Sequence, residues 1–301
     1  MCGRFACTLA PEEICKSCSR KTKSNKSQEP TWRDAPGSNK YYSSYNIAPG
    51  SFTPVLVSEK HFSEDLEKTE ESVKDDKKVN YVVQPMRWGL VPFWHKGESI
   101  KSVGYNMINC RSDTMESKNA FSVPLKKGKR CVVLLNGYYE WQEKNDVTGK
   151  KQPFFITNKS SEEKQSLLTV AGIFDTWKPK DGEDLVNSYT IITVDAHEDL
   201  KWLHNRMPAI LKNDKEVYDW LENGELSLIR PINEVNYHPV SSAVNTVSNK
   251  GEDCAKEVEL KKPEESASSK FMSNWLKRKS NDKEIKEEVK EKIKKEEIKQ
   301  E

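Results

Sequence analysis

The feature that most constrains the fold is an abrupt change of composition near residue 250. Residues 251–301 carry 14 Lys+Arg and 14 Asp+Glu in 51 positions. Such a segment has too little apolar surface to offset the entropy of ordering it. The expectation is therefore one folded domain over 1–250 and a disordered, charged tail over 251–301. The tail is net neutral, so the body carries the whole net charge of +2. That balance excludes a globally basic, histone-like nucleic-acid binder, and an anion site has to be local.

Within the body, short β-branched or aromatic runs recur between turn residues. They predict strands at Val79–Gln84, Arg130–Leu135, Tyr138–Gln142, Pro153–Thr157, Leu167–Phe174 and Ser188–Val194. The loop holding Asn145, Asp146 and Gly149 makes the third and fourth of these a hairpin. Helices are few: one opening near Pro11, one at Asp199–Leu203 and one at Asp214–Glu222. The polar stretches 20–40 and 58–78 read as surface loops or insertions. The fold class that follows is α+β: one domain on a curved, largely antiparallel β-sheet or barrel with few flanking helices. No run of 18 apolar residues predicts a transmembrane helix. The start MCGRFACTLA lacks the pattern of a signal peptide. Seven cysteines, an odd number, then argue for reduced thiols in the cytosol or nucleus. Cys15 and Cys18 form a lone CxxC. With no second ligand pair they read as two thiols on a short helix rather than a zinc site.

Met1 precedes a small residue, so the mature chain is expected to start at Cys2. One residue then carries an α-amine, with a reference pKa of about 7.7–8.0, and a thiol of about 8.5. Both are available nucleophiles near neutral pH. A 1,2-aminothiol condenses with an aldehyde to a Schiff base, which the thiol closes to a thiazolidine. An N-terminal nucleophile served by its own amine is a known catalytic device.

Several segments set polar groups among apolar ones. INCRSDT places Asn109 and Arg111 two apart, on one side of an extended segment. LNGYYEW puts Glu140 between Tyr139 and Trp141 in a strand. There it is either a paired or perturbed acid fit for proton transfer, or the solvent-facing member of an alternating strand. WLHNRMP puts His204 and Arg206 at the end of a short helix, where His204 could instead serve backbone carbonyls. Only nine residues are Arg, against 40 Lys. Arg4, Arg111 and Arg206 fall in these segments, and Arg suits bidentate phosphate contact, although surface ion pairs explain Arg111 and Arg206 as well.

Taken together, MCGRF, YNIAPG, RWGLVPFW, NCRSDT, NGYYEWQ, KQPFFI, AGIFDTW, YTIITVDA, LHNRMPAIL and YHPVSSAVN, in that order over about 2–250, resemble the SRAP (SOS-response-associated peptidase) family. The insertions and Lys-rich tail resemble its eukaryotic members. The resemblance implies covalent capture of abasic sites in single-stranded DNA, without cofactor or metal, by a nuclear monomer at replication forks on chromatin. It implies Cys2 as nucleophile and Asn109 bonding the sugar or the Cys2 backbone. Glu140 would orient the amine and move protons, and His204 would serve the ring oxygen. Arg4, Arg111 and Arg206 would hold phosphates, while Trp88 and Pro92, on a loop, would stack on or wedge against bases. Lyase chemistry is the side branch if ring closure fails. Autocatalytic release of Met1 is the peptidase-like reading, and a non-covalent reader of 5-hydroxymethylcytosine in DNA is the rival. Asn136 departs from the Asp common in the family and is expected to tune the turn before Gly137.

Two features of the tail remain. SKFMSNWL resembles a degenerate sliding-clamp-binding box with Met272, Trp275 and Leu276 as anchors, or reads as a plain amphipathic turn. IKEE, IKKE and IKQE match SUMO-acceptor patterns with Lys286, Lys294 and Lys299 as acceptors. A weak helix explains the same spacing.

Overall fold

The computed structural model describes residues 2–21, 27–37, 39–65, 80–100, 107–142, 151–159, 167–180, 184–260 and Trp275. The compact unit comprises residues 1–145 and 150–259. Met272, Leu276, Lys286, Lys294 and Lys299 lie outside the described residues. Trp275 is exposed.

The principal strands are β1 (Phe5–Cys7), β2 (Ser44–Ile47), β3 (Phe52–Ser58), β4 (Tyr81–Trp88), β5 (Asn109–Arg111), β6 (Arg130–Leu135), β7 (Gly137–Gln142), β8 (Gln152–Asn158), β9 (Leu168–Trp177), β10 (Val186–Asp195), β11 (Arg206–Pro208) and β12 (Val235–Pro239). The helices are α1 (Pro11–Ser17), α2 (Asn119–Lys126) and α3 (Asp214–Tyr218). All six predicted strands and the hairpin between β7 and β8 are present, with ends moved by up to four residues among those described. Of the predicted helices, Asp199–Leu203 is only a 3-10 turn at Glu198–Leu200, and Asp214–Glu222 is α3 continued as a π-turn over Asp219–Asn223. The predicted loop 20–40 contains short strands at Arg20–Lys21, Ser27–Gln28 and Thr31–Trp32. The described start of the other stretch, Glu59–Asp65, is a 3-10 helix.

The large sheet runs β11-β10-β9-β6-β3-β4, and β4 pairs back onto β10. The five strands β10, β9, β6, β3 and β4 therefore close on themselves. All the barrel pairings are antiparallel except the closing one, Ser188↔Arg87 and Tyr189↔Trp88, which is parallel. Closure removes the barrel's open edges, and β-branched runs such as Arg130–Leu135 fill it because Val and Ile pack well on a pleated surface. The barrel strands also bury polar groups, Thr53, Gln84, Asn187 and Ser188 among them. The hydroxyl pair Thr53 Oγ1–Tyr189 OH, at 2.6 Å, satisfies two buried groups at once.

A second, five-stranded antiparallel sheet runs β12-β8-β7-β1-β2. The chain passes from the barrel into it through Asn136, between β6 and β7. Asn136 Oδ1 accepts from the Thr8 amide at 2.7 Å and from the Thr8 hydroxyl at 3.1 Å. The departure from Asp thus ties the exit of β1 to the turn, as expected of a turn residue. Gly137 follows because a Cβ there would stand 2.5 Å from the Ile156 carbonyl oxygen and 2.6 Å from the Phe155 ring. Alternation sorts this sheet into two faces. Phe5, Cys7, Tyr138, Phe154 and Ile156 join the main core, whereas Ala6, Tyr139, Phe155, Val240 and Val244 form a separate cluster on the other side.

Candidate active site and nucleic-acid interface

The two sheets bring the chain's second residue to a defined place. β1 pairs with β7 in the register Phe5↔Tyr138, and the Tyr139 amide donates to the Arg4 carbonyl at 2.9 Å. Continued toward the start of the chain, that register lays residues 2 and 3 alongside Glu140. Cys2 is buried in the main core. Asn109 Nδ2 donates to its carbonyl oxygen at 2.7 Å. Asn109 sits on β5, which is held parallel to β10 at Ile191. Its Oδ1 is buried and accepts from no described residue, leaving an acceptor beside Cys2.

Burial is the larger cause, and the Glu140 carboxylate the next, of a Cys2 thiol pKa far above the usual thiol range. The Cys2 thiol therefore holds its proton more tightly than an exposed cysteine does. Glu140 itself is buried, so the reading as a solvent-facing strand residue is excluded. Its backbone pairs with Phe154 on β8, and it lines a small cleft with Tyr138, Leu200, Leu203, His204, Arg206 and Met207. Tyr138 escaped sequence reasoning. Its position two residues before Glu140, hence on the same strand face, was the available signal.

His204 is not at a helix end but in the turn between the Glu198–Leu200 3-10 segment and β11. The Arg206 amide donates to its Nδ1 at 2.9 Å. The same Nδ1 lies 3.3 Å from the Arg206 carbonyl oxygen. Arg206 is buried: it donates to Asp195 Oδ1 and to the Thr193 carbonyl, each at 2.6 Å. Arg111, half exposed, grips Asp113 through Nε at 3.0 Å and NH2 at 2.6 Å. Asp113 in turn stands 4.0 Å from Arg206. Both arginines flank Thr193, because β5 and β11 take opposite edges of β10 there.

Two assigned residues lie elsewhere. Arg4 falls on the other face of the small sheet, where its NH1 donates to Asn46 Oδ1 at 2.7 Å and to the Val244 carbonyl at 2.8 Å. One-residue alternation sends it away from Glu140, so it knits the far cluster rather than a phosphate beside the cleft. Trp88 is not on a loop. It ends β4 at 0% exposure, its ring 4.6 Å from Phe5 and its Nε1 donating to the Ile108 carbonyl at 3.0 Å. No base can stack on a ring so enclosed. Pro92 does lie on the following loop, buried. The exposed aromatics of that segment are Phe93 and Trp94, a T-shaped pair at 4.9 Å, with Lys127 Nζ 4.4 Å from the Phe93 ring. Asp175 anchors them by accepting from the Phe93 amide at 2.9 Å while paired with Lys129 at 2.6 Å. Cys15 lies in α1 and Cys18 caps it.

Known proteins resemble this chain at both levels. The family model described as SOS response associated peptidase (SRAP) matches residues 1–247. A protein of Xenopus tropicalis named abasic site processing protein HMCES is 44% identical over 306 residues, covering 94% of this chain and 87% of its own. The Bacillus subtilis abasic site processing protein YoaM is 33% identical over 217 residues, covering 69% of this chain and 82% of its own. The crystal structure of a protein from Bacteroides thetaiotaomicron shares the fold, with a TM-score of 0.62 at 22% identity, over 86% of this chain and all of that one. The ten motifs, their order and the fold that assembles them place this chain in the SRAP family.

Proposed function

We propose that this protein processes abasic sites by covalent capture: Cys2 forms a thiazolidine with the ring-opened abasic sugar of single-stranded DNA and shields it from strand cleavage. The observation that carries this reading is Cys2 clamped through its carbonyl by Asn109 and raised in thiol pKa by Glu140, which itself lines a cleft with His204. The curated relatives named for abasic site processing support it.

Removal of Met1 frees the Cys2 amine. The sugar's aldehyde takes the amine's lone pair, and loss of one water leaves a C=N bond. The amine acts first because the thiol can close the ring only once the C=N bond exists. The S–H bond then adds across C=N, sulfur to carbon and proton to nitrogen, closing the five-membered ring. Glu140 is placed to take the thiol proton and deliver it to nitrogen, a relay that needs only one carboxylate between neighbouring groups. His204 serves the sugar oxygen during opening and reversal. Until the thiol closes the ring, the same imine can undergo β-elimination, so a lyase activity is the side branch and the thiol decides against it. Arg111 and Arg206 hold phosphates on either side of the lesion. Stacking falls to Phe93 and Trp94 in place of the buried Trp88.

The test is a labelled single-stranded oligonucleotide with one abasic site. Wild-type protein of confirmed mass without Met1 gives a heat-stable adduct, whose tryptic peptide carries the sugar remnant on Cys2. Cys2→Ala gives none. An adduct that survives Cys2→Ala refutes the assignment.

A further inference from the structure

The small sheet carries an exposed aromatic pair that the proposed chemistry does not use. Trp202 and Tyr237 are 42% and 45% exposed, whereas Trp88, Trp177 and Trp220 are fully buried. Their ring centroids are 5.3 Å apart, and both rest on Phe154, Trp202 at 5.0 Å and Tyr237 at 6.4 Å. Phe154 is itself buried and is the cross-strand partner of Glu140. Tyr237 is paired with Ile156, and Ile156 with Tyr138, so the rings stand on the same sheet face as the cleft. Trp202 lies between Leu200 and Leu203, two of the cleft's walls, and two residues before His204. The apolar surface is thus continuous from the reacting residues outward.

From this continuity we infer that Trp202 and Tyr237 form a stacking platform for a base of the captured strand next to the abasic site, on the His204 side. The inference rests on the proposed capture of single-stranded DNA. A base is favoured over a phosphate because the surface presented there is two exposed aromatic rings, and the neighbouring cation, Lys201, is paired with Glu198. A ring held from below by a buried neighbour offers one face at little entropic cost, and stacking accepts any base. Phosphate contact stays with Arg111 and Arg206.

The probe is a single-stranded oligonucleotide with tetrahydrofuran at the lesion position, which has no aldehyde and reports binding alone. Trp202→Ala weakens binding about ten-fold, the size expected of one stacked base, and Trp202→Phe recovers most of it. The slope of log affinity against log salt stays unchanged, since no phosphate contact is lost. Replacing the adjoining nucleotide by a second tetrahydrofuran, at one side only, abolishes the difference between wild type and Trp202→Ala. Affinities of Trp202→Ala and Tyr237→Ala within about two-fold of wild type overturn the platform, as does a loss that persists when both adjoining bases are removed; the latter marks a surface for something other than a base. Crosslinking by the wild type to an aldehyde-bearing strand is measured in parallel. A wild type that crosslinks while Trp202→Ala binds normally refutes the platform and leaves capture standing. A wild type that does not crosslink refutes capture, and the binding series still decides the platform.

Discussion

Replacing Glu140 with Gln separates two effects that oppose each other. The carboxylate raises the Cys2 thiol pKa, so its loss alone makes thiolate easier to form. The same group is the proposed proton carrier, so its loss also strands the thiol proton. Burial, the larger cause of the raised pKa, is untouched by the substitution. The proton must still move, and a missing general acid–base group costs about 10² to 10⁴ in rate. Single-turnover crosslinking of Glu140→Gln at pH 7 is therefore expected to be at least about a hundred-fold slower, and to recover partly toward pH 9 as hydroxide substitutes. Intact mass must show Met1 absent in both proteins, so that a processing defect is not read as a chemical one. A variant within about three-fold of wild type at pH 7, or a deficit unchanged by pH, refutes the proton-relay argument.

Gly137→Ala forces a methyl against the Ile156 carbonyl and the Phe155 ring, and overpacking of this kind lowers stability by about 2–3 kcal/mol, visible as a fall in Tm by calorimetry. Arg111→Ala leaves Tm unchanged because the side chain is half exposed, yet it reduces the salt slope of DNA binding by about one; an unaltered slope removes Arg111 from the phosphate sites. Arg206→Ala, by contrast, also lowers Tm in urea or thermal melts, since it abandons the Asp195 and Thr193 contacts of a buried guanidinium. Burial, followed by the charge of Lys60, depresses His61 to about 4, below its unfolded value near 6.5. Its stabilising contribution is present above pH 6.5 and is lost as pH falls toward 4, so His61→Phe flattens the stability profile in that window. An identical profile for the variant contradicts the burial of His61.

The strands of the body were legible because each is a run of β-branched or aromatic residues with turn residues at its ends. Among the missed elements β3 does carry that signal, in FTPVLVS, but Pro54 inside the run argues against a strand, and β5 and α2 lack it. β5 is three residues long and exists because β10 offers an edge. α2 contains Pro124, which argues against a helix when neighbours are not known. His204 was assigned to a helix end on local pattern, and β11 claims its surroundings instead. Trp88 shows the same limit at the site. An aromatic in a Gly- and Pro-containing segment reads as a loop ring, but pairing of β4 with β10 and contact with Phe5 take it into the core. One position of alternation likewise sends Arg4 away from Glu140, and no spacing in the sequence states which face a neighbouring strand will present.

The sequence alone determined the chemical potential of the chain: an amine and a thiol joined on Cys2 once Met1 leaves, a strand acid at Glu140, and Arg and His residues in a fixed order. Those follow from covalent structure and local pattern. Tertiary structure decided which of them meet and in what state. Asn109 and Cys2 are 107 positions apart, and only the parallel seat of β5 on β10 brings an amide to the Cys2 carbonyl. Burial beside Glu140 then raises the thiol pKa of Cys2, because a charge in that apolar surrounding costs more than local sequence can reveal.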